Sequence, residues 1–137
     1  MTTLRFTKMH GSGNDFLVVD NRFRRLPDAS MGALARQTCA RRLGVVADGL
    51  ILLEEDAHTH FRMVHYNPDG SRSTFCGNGA RCAARFAISR GVAPENMAFQ
   101  ADDGRHEARV TGDTVRLTMS DPTDLKMDIR LATRGTP

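Results

Sequence analysis

Phe75-Cys76-Gly77-Asn78-Gly79-Ala80-Arg81-Cys82-Ala83-Ala84-Arg85-Phe86-Ala87-Ile88 is the stretch on which the fold turns. From Asn78 to about Arg90 the apolar positions Ala80, Ala83, Ala84, Phe86, Ala87 and Ile88 recur at helical steps, and Gly91 closes the run. Most of those positions are alanine. Small side chains let neighbouring backbone come close, so this helix is expected to be buried on most sides.

The first turn of a helix leaves backbone N–H groups unpaired and carries partial positive charge. Cys76 stands at that start, where both effects favour thiolate over thiol. Gly77 and Gly79 remove side chains, so an anion such as a carboxylate can approach those N–H groups. A plain structural reading stands beside this one: a buried cysteine next to a helix capped by Asn78. The residues alone leave the two open. Cys82 lies in the helix interior and reads as core.

Outward from this helix, the pattern changes to that of strands. Leu4–Met9 alternates apolar and polar residues, and Gly11–Asp15 breaks it as a loop. Phe16–Asp20 is almost wholly apolar, as in a strand covered on both faces. After Pro27 and Asp28, Ser30 is placed to cap a helix running to about Arg42. Its stripe is Met31, Leu34, Ala35, Thr38, Cys39 and Leu43, and Gly44 ends it. Cys39 on that stripe reads as a packed, inert thiol.

Leu50–Leu53 and Phe61–Tyr66 read as two strands joined by a turn, with His58 and His60 flanking it at the surface. Asn67-Pro68-Asp69-Gly70 is a strong turn sequence. Ser71–Phe75 is extended. Met97–Ala101, Arg105–Val110 and Thr114–Met119 are three short strands separated by Asp103-Gly104 and Gly112-Asp113, and Lys126–Leu131 adds one more. The sum is an α+β domain of short, mixed or mostly antiparallel strands around two helices.

Composition limits the function. The chain has 137 residues, a net charge of +3, and 40% hydrophobic residues, which suits one globular domain. No apolar run approaches the roughly 20 residues of a membrane span. Polar, Gly-rich sequence follows Met1–Lys8 at once, so no signal peptide is read and a cytoplasmic location is the default. The basic residues, with Arg22, Arg24 and Arg25 and then Arg41 and Arg42 as the longest clusters, alternate with acidic ones and have few aromatic neighbours. A solvated surface is expected, not a nucleic-acid face. Three cysteines without Cys-x-x-Cys spacing argue against both a disulfide framework and a metal site.

Two amides join Cys76 as candidates: Asn14 after Gly11-Ser12-Gly13, and Asn67 at the head of its turn. With Cys76 they stand at strand ends and a helix start, where sites are built. Lys8-Met9-His10-Gly11-Ser12-Gly13-Asn14-Asp15-Phe16 resembles the opening signature of diaminopimelate epimerases. Asn67-x-Asp69-Gly70-Ser71 followed by Cys76-Gly77-Asn78-Gly79-x-Arg81-Cys82 resembles their active-site motif. The resemblance covers essentially the whole chain. Asn78 favours this family over the related proline racemases, which usually carry His there.

The resemblance implies strands wrapped around a central helix, and interconversion of LL- and meso-diaminopimelate with no cofactor and no metal. It implies Cys76 as one of two catalytic thiols, Gly77 and Asn78 as binders of the α-carboxylate, and Asn14 and Asn67 as further substrate contacts. It also implies that residues 1–137 are the amino-terminal domain of a two-domain homodimeric enzyme, the second cysteine lying in the missing domain, so that the chain alone is inactive. A racemase of another amino acid such as proline or hydroxyproline, and a non-catalytic stand-alone domain, are the alternatives. One departure stands out. The family often has Gly-Ile-Gly where this chain has Gly44-Val45-Val46, so Val46 takes a glycine's place in that loop.

Overall fold

The computed structural model describes residues 3–23, 26–41, 44–119, 121–130 and 132. Expectations placed on Arg24, Arg25, Arg42, Leu43 and Leu131 lie outside them. The described elements run β1 (Thr7–Gly11), β2 (Asn14–Asp20), a short 3-10 turn (Asp28–Ser30), α1 (Met31–Cys39), β3 (Gly49–Glu54), β4 (Phe61–Tyr66), β5 (Arg72–Ser73), α2 (Gly77–Ser89), β6 (Asn96–Ala101), β7 (Gly104–Thr111) and β8 (Thr114–Leu117). Among the described residues they form one sheet in the order β1-β2-β3-β4-β6-β7-β8, with β5 also on β4. β2 with β3 and β4 with β6 are parallel, and every other pair is antiparallel.

The two parallel pairs are joined by the two helices, as parallel pairing requires. The sheet curls around α2, which touches β1, β2, β3, β4, β7 and β8. Ala80, Ala83, Ala84, Phe86 and Ala87 of the helix are buried against Phe16, Val18, Ile51, Leu53, Phe61, Met63 and Phe99. The alanine-rich face is therefore what lets strands close in on the helix from several directions. α1 covers the outer face of the same strands. It packs Met31, Ala35 and Cys39 on Leu17, Val19, Leu50, Leu52 and Val64. The central residues of β2 (Phe16–Val19) and β3 (Leu50–Leu53) are all apolar because both of their faces are covered.

Turn chemistry sets the connections. β1 and β2 pair Gly11 with Asn14, so the expected loop is a two-residue hairpin turn, with Ser12 at φ 50° and Gly13 at φ 91°. α2 ends in a Schellman arrangement: Val92 N–H donates to the Ala87 carbonyl and Gly91 N–H to that of Ile88, with Gly91 at φ 68°.

Three local expectations are corrected. α1 stops at Cys39, because Ala40 is extended at φ −63°, ψ 135°. Ser30 stands at the start of α1 but makes no capping hydrogen bond; the preceding 3-10 turn already leads the backbone into the helix. Residues 126–130 form no strand despite their alternating pattern, since no described strand edge pairs with them. Their apolar members Met127 and Ile129 are exposed, as is Leu125 just before them.

Candidate functional site

The helix start is one residue earlier than the pattern implied, and Cys76, not Asn78, is the capping residue. Cys76 is extended at φ −139°, ψ 115°, and its Sγ accepts the Gly79 N–H at 3.5 Å. A thiol in this position takes the part usually played by a Ser or Asp oxygen. The N–H groups of Gly77 and Asn78 belong to the first turn, which has no intrahelical carbonyl for them. Cys76, Gly77 and Asn78 are half-buried. A positive helix end, unpaired donors and an accessible sulfur thus meet at one point.

Gly79 has a different role from the one its position suggested. A Cβ there would lie 3.0 Å from Ile51 Cδ1 and 3.4 Å from Met63 Cε. Its missing side chain makes room for the core, not for a ligand. At Gly77 a Cβ would meet nothing nearer than Arg81 Nη1 at 3.4 Å.

Asn78 and Asn14 are 64 residues apart in sequence and in direct contact. Asn78 Nδ2 donates to Asn14 Oδ1 at 2.8 Å, and Asn14 Nδ2 donates to Asp48 Oδ2 at 3.2 Å. Asp48 Oδ2 also accepts the Asp15 N–H at 2.9 Å. A carboxylate can only accept, so Asp48 dictates which end of the Asn14 amide faces it, and Asn14 in turn orients Asn78. The Asp15 N–H and the Asn14 amide together hold the Asp48 carboxyl below its ordinary range. Asp48 was missed as a site residue. Its only signal in sequence was its place at the end of the Gly44–Asp48 loop, immediately before β3.

Asn67 does not join this network. Its side chain donates to Ser71 Oγ at 3.1 Å and braces its own turn, while Asp69 makes the Asx-type bond to the Ser71 N–H at 2.8 Å. The turn does border the site region. Pro68 lines a cleft of about 650 Å³ with Asp15, Cys39, Arg41, Val46 and Asp48 among its walls.

The other two cysteines are packed. Burial pushes the Cys39 thiol up, and burial together with the neighbouring Cys76 pushes Cys82 up to about 11. Beneath the site, His65 on β4 stands edge-on to Phe16, with ring centroids 5.7 Å apart. Neither of its ring nitrogens has a hydrogen-bond partner among the described residues, and burial lowers its pKa. Among those residues no group of three or more His, Cys, Asp or Glu side chains is gathered to hold a metal ion. No described helix is long and apolar enough to cross a membrane.

A mixed sheet curled on a central helix is a fold found in other solved structures. A hydroxyproline epimerase from Agrobacterium vitis has this fold, with a TM-score of 0.65 at 15% identity over 85% of this chain and 41% of that one. The family itself is decided by sequence. The model for diaminopimelate epimerase matches residues 6–125, and the chain belongs to that family. Diaminopimelate epimerases from Desulforudis audaxviator and Flavobacterium psychrophilum are 48% and 44% identical, over 87% and 85% of this chain. The chain spans 44% and 45% of those two relatives' lengths.

Proposed function

We propose that this chain supplies one half of the active site of an enzyme that interconverts LL- and meso-diaminopimelate without a cofactor. Cys76 is one of its two proton-transferring thiols. The rest of the complete protein forms a second, similarly folded domain that carries the other thiol. The observation that carries this reading is the capping sulfur of Cys76, set beside first-turn N–H groups and the Asn78–Asn14–Asp48 network, in a chain of this family.

The chemistry follows from those groups. A thiolate takes the α-proton from one face of the substrate, and the bonding pair moves onto the α-carbon and its carboxylate. A thiol on the opposite face delivers a proton to the same carbon, inverting it, and the two sulfurs exchange protonation states. The difficult step is the carbanion, since no electron sink is used. Gly77 and Asn78 N–H groups aimed at the α-carboxylate supply fixed dipoles for the charge that develops. One such donor is worth about 10²–10³ in rate. Asp48 holds Asn14 and Asn78 in one orientation before substrate arrives, so no reorganisation is needed during reaction. Asn67 contacts the distal end of the substrate. The complete protein is a homodimer of the cytoplasm, where the product serves lysine and peptidoglycan synthesis.

The test is proton exchange in deuterated water. The complete protein with Cys76 intact is expected to convert LL-diaminopimelate to the meso form and to incorporate deuterium at the α-carbon. Cys76→Ala is expected to abolish conversion. The 137-residue chain alone is expected to produce no meso product, because a one-sided thiol cannot both remove and redeliver the proton. Full conversion by Cys76→Ala, or by the isolated chain, would overturn the assignment.

A further inference from the structure

The residue preceding Cys76 leads into a second cluster, separate from the amides. Phe75 lies flat on the imidazole of His106 (β7), with ring centroids 4.1 Å apart and planes 6° from parallel. His106 also stacks with Phe99, its register partner on β6, at 5.5 Å. The ring is buried, and both of its nitrogens are engaged. Nδ1 donates to the Thr118 carbonyl at 3.1 Å, and Nε2 is hydrogen-bonded to Asp103 Oδ1 at 2.7 Å.

This contrasts with His65, whose buried ring has no partner at either nitrogen among the described residues. His106 is a flat plate bolted at two points on its rim, one to the β6–β7 turn and one to the end of β8. Phe75 is a hydrocarbon ring and can form no hydrogen bond of its own; its orientation is set by the surface it rests on. The end of β8 reaches the same place from another side, since Met119 Sδ would lie 3.6 Å from a Cβ at Gly77. The Cys76 Sγ to Gly79 N–H contact, at 3.5 Å, depends on the backbone just after Phe75.

We propose that His106 is a positioning residue for Cys76: by fixing the Phe75 ring it sets the backbone from which the thiol caps α2. The proposal rests on the reading of Cys76 as the reacting thiol, but it concerns the placement of the sulfur and not turnover.

The experiment uses the labelled 137-residue chain and nuclear magnetic resonance. In the unaltered protein, His106 Nδ1 is expected to carry hydrogen, and cross-peaks are expected between the Phe75 and His106 rings. His106→Phe keeps an aromatic plate but loses both tethers. It is expected to shift the Gly79 amide resonance and to speed that amide's hydrogen exchange by about tenfold or more, while the amides of Ala83, Ala84 and Ala87 exchange as before. Asp103→Asn retains an oxygen acceptor and is expected to stay within about twofold of the parent. Equal acceleration at all four amides would mean that His106 only fills the core, and no change at Gly79 would mean that it does not position the cap; either result overturns the proposal. Should His106→Phe fail to fold, the unaltered protein decides: a bare Nδ1, or missing ring cross-peaks, refutes it. These readouts are independent of epimerase activity, so a failure of the functional reading is seen separately.

Discussion

Replacing Val46 separates backbone strain from contact loss if two variants are compared, Val46→Gly and Val46→Ala. Val46 has φ 60°, in the left-handed region, where an L side chain crowds its following carbonyl at a cost of about 1–2 kcal/mol. The surrounding bonds leave it no alternative. Val45 N–H donates to the Thr38 carbonyl at 2.7 Å and Gly44 N–H to that of Ala40 at 3.0 Å. Lys8 Nζ donates to the Val45 carbonyl at 3.2 Å. Two residues on, Asp48 N–H is bound to the Asp15 carbonyl at 2.7 Å. Both variants lose the valine methyl groups, so that term cancels between them. What remains is the strain of a Cβ, about 1–2 kcal/mol, against the extra freedom of glycine in the unfolded chain, about 0.5–1 kcal/mol. Val46→Gly is therefore expected to be more stable than Val46→Ala by roughly 0.5–1 kcal/mol, or about 2–4 °C in Tm for a chain of this size. Denaturant and thermal unfolding followed by far-ultraviolet circular dichroism measure it. At a residue with negative φ the sign is reversed, so an alanine variant equal to or more stable than the glycine variant would refute the strain argument.

Gly79→Ala is expected to cost about 1 kcal/mol net, as overpacking of about 1–3 kcal/mol against Ile51 and Met63 outweighs the helix-propensity gain of about 1; Gly77→Ala, with only ordinary contacts, is expected to leave the unfolding midpoint nearly unchanged. His65→Leu removes a buried imidazole that has no hydrogen-bond partner among the described residues, and is expected to raise stability by about 1–2 kcal/mol. It also alters the pH dependence. The folded His65 pKa is depressed by burial, so the parent loses stability as pH falls below the ordinary histidine value of about 6.5. The variant is expected to lose less in that window, as read from urea midpoints at pH 7 and pH 5. Iodoacetamide is expected to label Cys76 in the folded chain while sparing Cys39 and Cys82, as peptide mass mapping would reveal. Cys82 is raised from 9.0 to about 11 in the fold, so its contribution to stability is complete below pH 9 and is lost as pH rises towards 11; Cys82→Ala is expected to flatten that alkaline decline.

Much of the architecture was legible because its signals are local. The all-apolar run Phe16–Val19 announced a strand covered on both faces, and α1 and α2 do cover it. The alanine face of 80–87 announced a helix in close contact with its surroundings. Where local pattern misled, a non-local partner was missing or the chain turned early. Residues 126–130 alternate like a strand, but among the described residues no edge pairs with them. The stripe of α1 continued to Leu43 in sequence, while the backbone leaves the helix at Ala40.

The sequence by itself placed the thiol beside the start of a helix, because glycines and an asparagine stand between Cys76 and an alanine-rich run; that the sulfur itself caps the helix was decided by the fold. It also singled out Asn14 and Asn67 as groups worth weighing, and the family resemblance added Asn78. Only the tertiary structure decided that Asn14 and Asn78 touch, that Asp48 orients both, that Asn67 braces its own turn, and that His106 supports Phe75. Periodicity and turn chemistry act over a few residues and can be read along the chain. The Asn14–Asp48 contact depends on β2 lying parallel to β3 across a helical crossover, and the His106–Phe75 contact on a sheet closing around α2. Such registers are set by the packing of the whole core, which no short stretch of residues encodes.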